Sequence, residues 1–377
     1  MKKGHCPKRY VSRIMVLIML VVALTGCMDQ TVNETAKNSE DAAKTTAASE
    51  TFAEKESAPA TEGNTDISYP ITLVDQAGRE VVLEKPAEEV VSVYYISTAT
   101  LIALGIKDKV VGIEMKADTR ELYKKAAPEF LELPAVGSGK EINIEEIADL
   151  TPDLVILPKR LQENIAQLEE LNIPVLVIDP ETMDNFIECI DLLGKATGSF
   201  VKAEQLICYY EETMEGIQNL TENLEDKPKV YLSSGASMLR TCTSKMYQND
   251  MITLAGGESV SAELTDGYWQ EVSAEQLLNW NPDYFLRVSY AEYSMEDIFA
   301  DARLGEINAI KQNQVYTFPS DLEPWDYPTP SSILGVLWLT NRLHPEVYTQ
   351  EDYIEEAKEF YNTYFAIEVS NEEIGIN

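Results

Sequence analysis

The sequence predicts an α/β protein of two Rossmann-like lobes with mainly parallel sheets, separated by one long α-helix. Three observations predict it. Short β-rich runs alternate with helical patterns on both sides of the middle of the chain. A single helical stripe lies between the two series. A helix, a Pro-Asp turn and a buried strand follow one another once in each series. Alternation of this kind reads as parallel sheets with crossover helices.

Residues 1–13 carry Lys2, Lys3, Lys8, Arg9 and Arg13 and no acid. The apolar run Ile14–Leu24 falls short of the roughly 20 residues that span a bilayer. A basic start before a short apolar core reads as a secretory signal. The core ends in Leu24-Thr25-Gly26-Cys27, which resembles the bacterial lipobox. That resemblance implies a signal peptide over 1–26, cleavage before Cys27 and lipid on its thiol. The rival reading is an uncleaved anchor helix with a chance cysteine. Either way the remainder lies outside the membrane. Loss of the five basic residues takes the formal charge from −34 to −39. Such acidity excludes nucleic acid as a partner, because phosphates need a basic face. Cys189, Cys208 and Cys242 then allow one disulfide at most, so this is no disulfide-stapled scaffold.

Residues 27–65 are rich in Thr, Ala, Glu, Ser and Lys, with Phe52 the only aromatic. They cannot bury enough apolar surface to offset the entropy of ordering, and read as a disordered tether. The N-terminal lobe spans 66–198. Ile71–Val74 and Val81–Leu83 flank an Asp/Gly turn and form a hairpin. Val90–Tyr95, Val110–Ile113, Asp153–Leu157 and Pro174–Ile178 read as buried strands. Helical patterns cover Thr100–Leu104, Ile144–Leu150 and Glu163–Leu171. The connecting helix is placed over 199–226. Phe200, Ala203, Ile207, Tyr210, Met214, Ile217 and Leu224 form its buried stripe. Unbroken, it would be about 40 Å long and could brace both lobes. The C-terminal lobe spans 227–377. Its strands are Lys229–Leu232, Tyr284–Val288 and Gln314–Phe318, and its helices are Asp250–Ala255, Ser331–Leu343 and Glu351–Phe365.

The doubled segment is Asn143–Ile156 in one lobe and Val272–Phe285 in the other. With the opening hairpin, Ala103-Leu104-Gly105, Leu254-Ala255-Gly256-Gly257 and Leu343-His344-Pro345, it resembles the solute-binding proteins of ABC importers for ferric siderophores, haem and cobalamin. The resemblance covers roughly residues 71–348. It implies a ligand cleft between two lobes on a rigid helix, a membrane permease and its ATPase as partners, and a monomer on the outer face of a bacterial membrane, held there by its lipid alone. It also implies docking of Glu145 and Glu275 onto permease arginines, through charge-assisted hydrogen bonds. Glu146 is a close rival to Glu145.

Ligands of open α/β sheets sit beyond the carboxyl ends of the strands. In the first lobe that rule collects Tyr94, Tyr95, Lys116, Lys140, Lys159 and Arg160. In the second it collects Ser234, Arg240 in a Leu239–Thr241 loop, Tyr268, Trp269, Arg287, Tyr290, Trp325 and Tyr327. One of Tyr94 and Tyr95 faces the cleft and the other the core. This aromatic and basic set suits a metal chelate with an organic body and negative charge. An iron-siderophore chelate ranks first, then haem or cobalamin, then a nickel chelate or an oxyanion such as molybdate. An oxyanion would use Ser138-Gly139 and Ser233-Ser234-Gly235 as backbone donors at helix starts. Without its signal peptide the chain has one histidine, His344, so neither a bare-metal site nor a bound cofactor is expected. The rival classes are a surface enzyme and an adhesin. The globular region has no nucleophile or zinc-protease motif at a strand–helix turn, which argues against an enzyme.

Overall fold

The computed structural model describes residues 67–376, so the signal segment, Cys27 and the tether lie outside the described residues. Ile71–Val74 (β1) pairs antiparallel with Glu80–Leu83 (β2). Two further sheets follow, and they share no strand. The first holds Val90–Ser92 (β3), Val110–Glu114 (β4), Ala135–Ser138 (β5), Glu141–Ile142 (β6), Leu154–Pro158 (β7) and Val175–Ile178 (β8), in the order β6-β5-β4-β3-β7-β8. All its pairs are parallel except the β5–β6 hairpin. The second holds Lys229–Ser233 (β9), Arg240–Cys242 (β10), Glu258–Ser259 (β11), Trp269–Glu271 (β12), Tyr284–Arg287 (β13) and Val315–Thr317 (β14). Its order is β12-β10-β9-β13-β14, with β11 beside β9. Here β9, β13 and β14 run parallel and β10 is antiparallel to both neighbours.

Each sheet has its own core. Val91, Val155, Val175, Ile147 and Leu168 belong to one cluster; Tyr231, Phe285, Leu277, Ile298 and Ile307 belong to the other. Every residue of β7 and β8 is buried, which is why those runs are apolar throughout rather than alternating.

The doubled Pro-Asp segments do the same physical work in both lobes. Thr151 and Asn281, each just before the proline, take left-handed φ values of 48° and 46°. The Asp153 carboxylate then accepts from the Glu88 and Glu89 N–H groups, just ahead of β3. The Asp283 carboxylate accepts from Lys229 N–H, at the start of β9. Each aspartate therefore pins the entry of the neighbouring parallel strand. The helices before them, Ile144–Asp149 and Ala274–Trp280, are capped alike. Asn143 accepts from Glu146 N–H and Ser273 from Gln276 N–H. Glu145 and Glu275 occupy the same helical position, second after the cap, and both are exposed.

The connecting helix is shorter than its stripe suggests, running Phe200–Thr221, 22 residues, or about 33 Å. A second helix, Met183–Thr197, precedes it, and Gly198 at φ 75° turns the chain between them. Ser199 Oγ donates to Leu104 O in the first lobe, and Thr221 Oγ1 to Leu254 O in the second. The helix is thus tied to both lobes at its ends. Where the two helices pack, a Cβ at Gly194 would overlap Ala203. Gly194→Ala is expected to lower stability by about 1–3 kcal/mol through overpacking. The check is a lower urea midpoint at unchanged m-value.

Two local expectations change. The run read as a strand over Val90–Tyr95 ends at Ser92, and a helix begins at Tyr95. Ser97 Oγ donates to Tyr94 O at 2.7 Å and Ser92 Oγ lies 2.7 Å from Ser97 Oγ, so hydroxyls break the ladder. Of the expected Leu239–Thr241 loop, Arg240 and Thr241 instead belong to strand β10, because Thr241 pairs with Ser233 and Gln270.

Candidate functional site

The carboxyl ends of both sheets open onto one gap, and two cavities there are lined from both lobes. They meet at adjacent residues. Tyr95 lines one and Tyr94 the other, because both sit where strand turns to helix. The expected division into one cleft ring and one core ring is therefore replaced by two rings that face two compartments.

The first cavity, about 270 Å³, lies between the 119–121 segment and the loops after β13 and β14. The Arg120 guanidinium stands 3.9 Å from the centre of the Tyr95 ring. Its Nε is buried and has no partner among the described residues. Tyr290 lines the same space and stacks on Tyr327 at 4.8 Å, with the rings 9° from parallel. Tyr327 meets Tyr95 edge-on at 6.4 Å.

Behind these rings lie two buried acids. Glu323 accepts from Tyr95 Oη at 2.9 Å and from Ser331 Oγ. The first of these bonds joins the two lobes. Asp326 accepts from Tyr290 Oη at 2.8 Å. Burial raises the Glu323 carboxyl, and raises Asp326 from 3.8 to about 7. A carboxyl that binds its proton more tightly when folded stabilises the fold fully below pH 3.8. That contribution is lost as pH rises towards 7. Asp326→Asn is therefore expected to flatten the fall in stability across this window. Urea midpoints measured from pH 4 to 8 check it, and an unchanged slope would count against Asp326 as its source.

The second cavity, about 310 Å³, lies beyond β7 and β8, with Tyr268 closing it from the other lobe. The Arg160 guanidinium stands 4.4 Å from the centre of the Tyr94 ring, and its Nε donates to Gly139 O. Burial first, then the charge of Glu181, pushes the Tyr94 hydroxyl up to about 12, with Arg160 opposing. Lys159 is not a free cation, since its Nζ lies 2.7 Å from Asp179 Oδ2.

Tyr94, Tyr95, Lys159, Arg160, Tyr268 and Tyr290 thus line the gap, and Tyr327 backs it. The remaining candidates do not line either cavity. Trp325 is fully buried and its Nε1–H donates to Tyr361 Oη, so it is a core residue. The Arg287 guanidinium is spent on Tyr293 O and Thr317 Oγ1, which fix the loop after β13. Ser234 is buried, and its N–H donates to Arg240 O. Arg240 sits in β10 and Trp269 in the edge strand β12. Lys116 and Lys140 are exposed outside the two cavities, although the Ser138–Lys140 turn touches Arg160. Ser138-Gly139 and Ser233-Ser234 follow strands without opening helices, so neither forms the expected helix-start anion site.

The lining residues missed in the sequence include Arg120, Asp179 and Glu181. The last two directly follow β8, so the strand-end rule covered them and was stopped one strand early. Arg120 follows a 3₁₀ turn at 117–119 and had no such signal. His344 is 3% exposed and faces Gly256 O, a packing role. Among the described residues no cluster of three or more His, Cys, Asp or Glu is arranged to hold a metal. Cys189 and Cys242 are buried free thiols.

Residues 90–322 match the family model described as periplasmic binding protein. The uncharacterised ABC transporter substrate-binding lipoprotein YvrC of Bacillus subtilis is 26% identical over 292 residues, covering 75% of this chain and 88% of that protein. The molybdate-binding protein MolA of Haemophilus influenzae is 23% identical over 326 residues, covering 78% and 90%. A periplasmic solute-binding protein of Veillonella parvula superposes with a TM-score of 0.71 at 26% identity, covering 81% of this chain and 96% of its own. These relatives are transport receptors rather than enzymes. Two separate sheets on one helix, with a gap lined from both, agree with that grouping: the chain belongs to the periplasmic binding protein family, as an extracytoplasmic solute-binding component that serves a membrane permease and its ATPase.

Proposed function

We propose that the chain is a monomer tethered by lipid on Cys27, which captures an iron-siderophore-type metal chelate and hands it to its permease. The observation that carries the ligand class is the pair of guanidiniums laid on tyrosine rings in the gap. Arg160 lies on Tyr94 and Arg120 on Tyr95, and the Arg120 Nε has no partner. Rings supply walls for an organic body, and guanidiniums supply donors for carboxylate, catecholate or hydroxamate oxygens. Glu145 and Glu275 are the docking carboxylates of this reading, and Glu146 drops behind because its counterpart is Gln276.

A second reading is an oxyanion. The cavities, about 270 and 310 Å³, are at the small end for ligand sites. The relative MolA is named for molybdate.

Native mass spectrometry of protein purified from its own host tests both readings at once, since a retained ligand identifies itself. Thermal unfolding complements it. A ligand at a hundred times its Kd is expected to add about 2.7 kcal/mol of stability. No shift with any ferric chelate, haem, cobalamin or molybdate would reject the capture role. Arg120→Ala is expected to weaken the chelate by about tenfold or more, the scale of a charge-assisted hydrogen bond. Unchanged affinity in calorimetry would remove Arg120 from the site.

A further inference from the structure

The second cavity is not uniformly cationic, and its one unspent acid is Glu181. Lys159 and Asp179 neutralise each other across its wall. Arg160 and Glu181 are left facing the same space. The Glu181 carboxylate accepts no hydrogen bond from any described residue, whereas its backbone is fixed on both sides. Its N–H donates to Asp179 O at 2.9 Å, and its carbonyl accepts from Tyr247 N–H of the other lobe at 2.7 Å. The side chain is half-buried, and its carboxyl is raised, by burial first and then by Asp179, against the pull of Arg160. It is close enough to Tyr94 and Tyr268 to raise both hydroxyls, so its charge acts across the whole cavity. A bound molecule that shuts this carboxylate off from solvent without supplying a donor leaves it unpaired, which is costly.

We infer that Glu181 is a specificity-determining residue which requires the ligand to present a hydrogen-bond donor, an amine or primary amide, beside the acceptor oxygens taken by Arg160. The inference rests on the capture reading above and deepens it. Arg160 lies over Tyr94 and offers its fork to an oxygen. Glu181 offers only acceptor oxygens. A ligand made of oxygens alone satisfies the first and is repelled by the second. A chelate with a peripheral ammonium or carboxamide satisfies both. Glu181 thereby favours a donor-bearing chelate over a bare oxyanion or an all-acceptor catecholate, by the repulsion that builds selectivity elsewhere.

The test is calorimetric titration of wild type, Glu181→Gln and Arg160→Ala with four probes. Two bear donors: a ferric trihydroxamate with a terminal ammonium, and cyanocobalamin. Two are acceptors only: a ferric tris-catecholate and molybdate. Wild type is expected to bind a donor-bearing probe the more tightly. Glu181→Gln, nearly isosteric, is expected to weaken the ammonium-bearing chelate about tenfold and strengthen the acceptor-only probes by a similar factor. Thermal unfolding of each variant confirms that it is folded. The inference is overturned if acceptor-only probes bind wild type as tightly as the others, if neither donor-bearing probe binds, or if Glu181→Gln leaves the preference unchanged. The capture reading fails separately. In that case Arg160→Ala alters no affinity either. An effect of Arg160→Ala without one of Glu181→Gln sinks the specificity claim alone.

Discussion

Joint reversal of Glu145 and Glu275 to lysine is expected to abolish ligand uptake by cells while ligand affinity stays within about twofold of wild type. Both glutamates are exposed, at the second position of capped helices that repeat in the two lobes. Neither lines a cavity, so the purified protein has no reason to lose its ligand. Uptake has every reason to fail. A carboxylate on an arginine fork is a strong, directional contact, and a lysine in its place puts like charges together. The measurement is uptake of radiolabelled or fluorescent ligand, with calorimetry on the same variant. Normal uptake would reject these two residues as the docking pair.

Trp325→Ala is expected to lower stability by about 3–5 kcal/mol, the usual cost of deleting a buried large aromatic. Trp325 is fully buried, its ring N–H donates to Tyr361 Oη at 3.0 Å, and its backbone N–H donates to Pro319 O at 2.8 Å. It therefore pins the loop that holds Glu323, Asp326 and Tyr327 behind the cleft rings. Ligand affinity is expected to fall with stability, because the Tyr290–Tyr327 stack loses its support. Trp325→Phe separates the two effects. It keeps most of the packing and drops one hydrogen bond, at about 1 kcal/mol. Denaturant midpoints and titrations on both variants measure this. A Trp325→Ala protein of wild-type stability would contradict the packing described here.

The legible and illegible parts of the site divide by physics rather than by region. Tyr94, Arg160 and Tyr268 were reached because strand ends and loops point at clefts in this architecture. Trp325 and Arg287 were collected by the same rule and belong elsewhere. A tryptophan or arginine in a loop looks the same in sequence whether it meets ligand, Tyr361 or a backbone carbonyl. The cationic character of the cleft was overstated for a related reason. Lys159 reads as a positive charge until Asp179, 20 residues later, is found beside it. The connecting helix starts just after Gly198 in sequence and structure alike, but its apolar stripe runs on to Leu224 and hides its end at Thr221.

By itself the sequence determined much of the local order: the main parallel strands of both sheets, the connecting helix, and that a Pro-Asp turn closes one helix in each lobe. Those are short-range matters of periodicity, capping and turn chemistry, written in adjacent residues. Only the tertiary structure decided which charges are spent and which are free. It set Lys159 on Asp179, left Arg120 and Glu181 facing the gap, and buried Trp325. Burial and partner choice depend on residues far apart in the chain, so no local pattern can encode them.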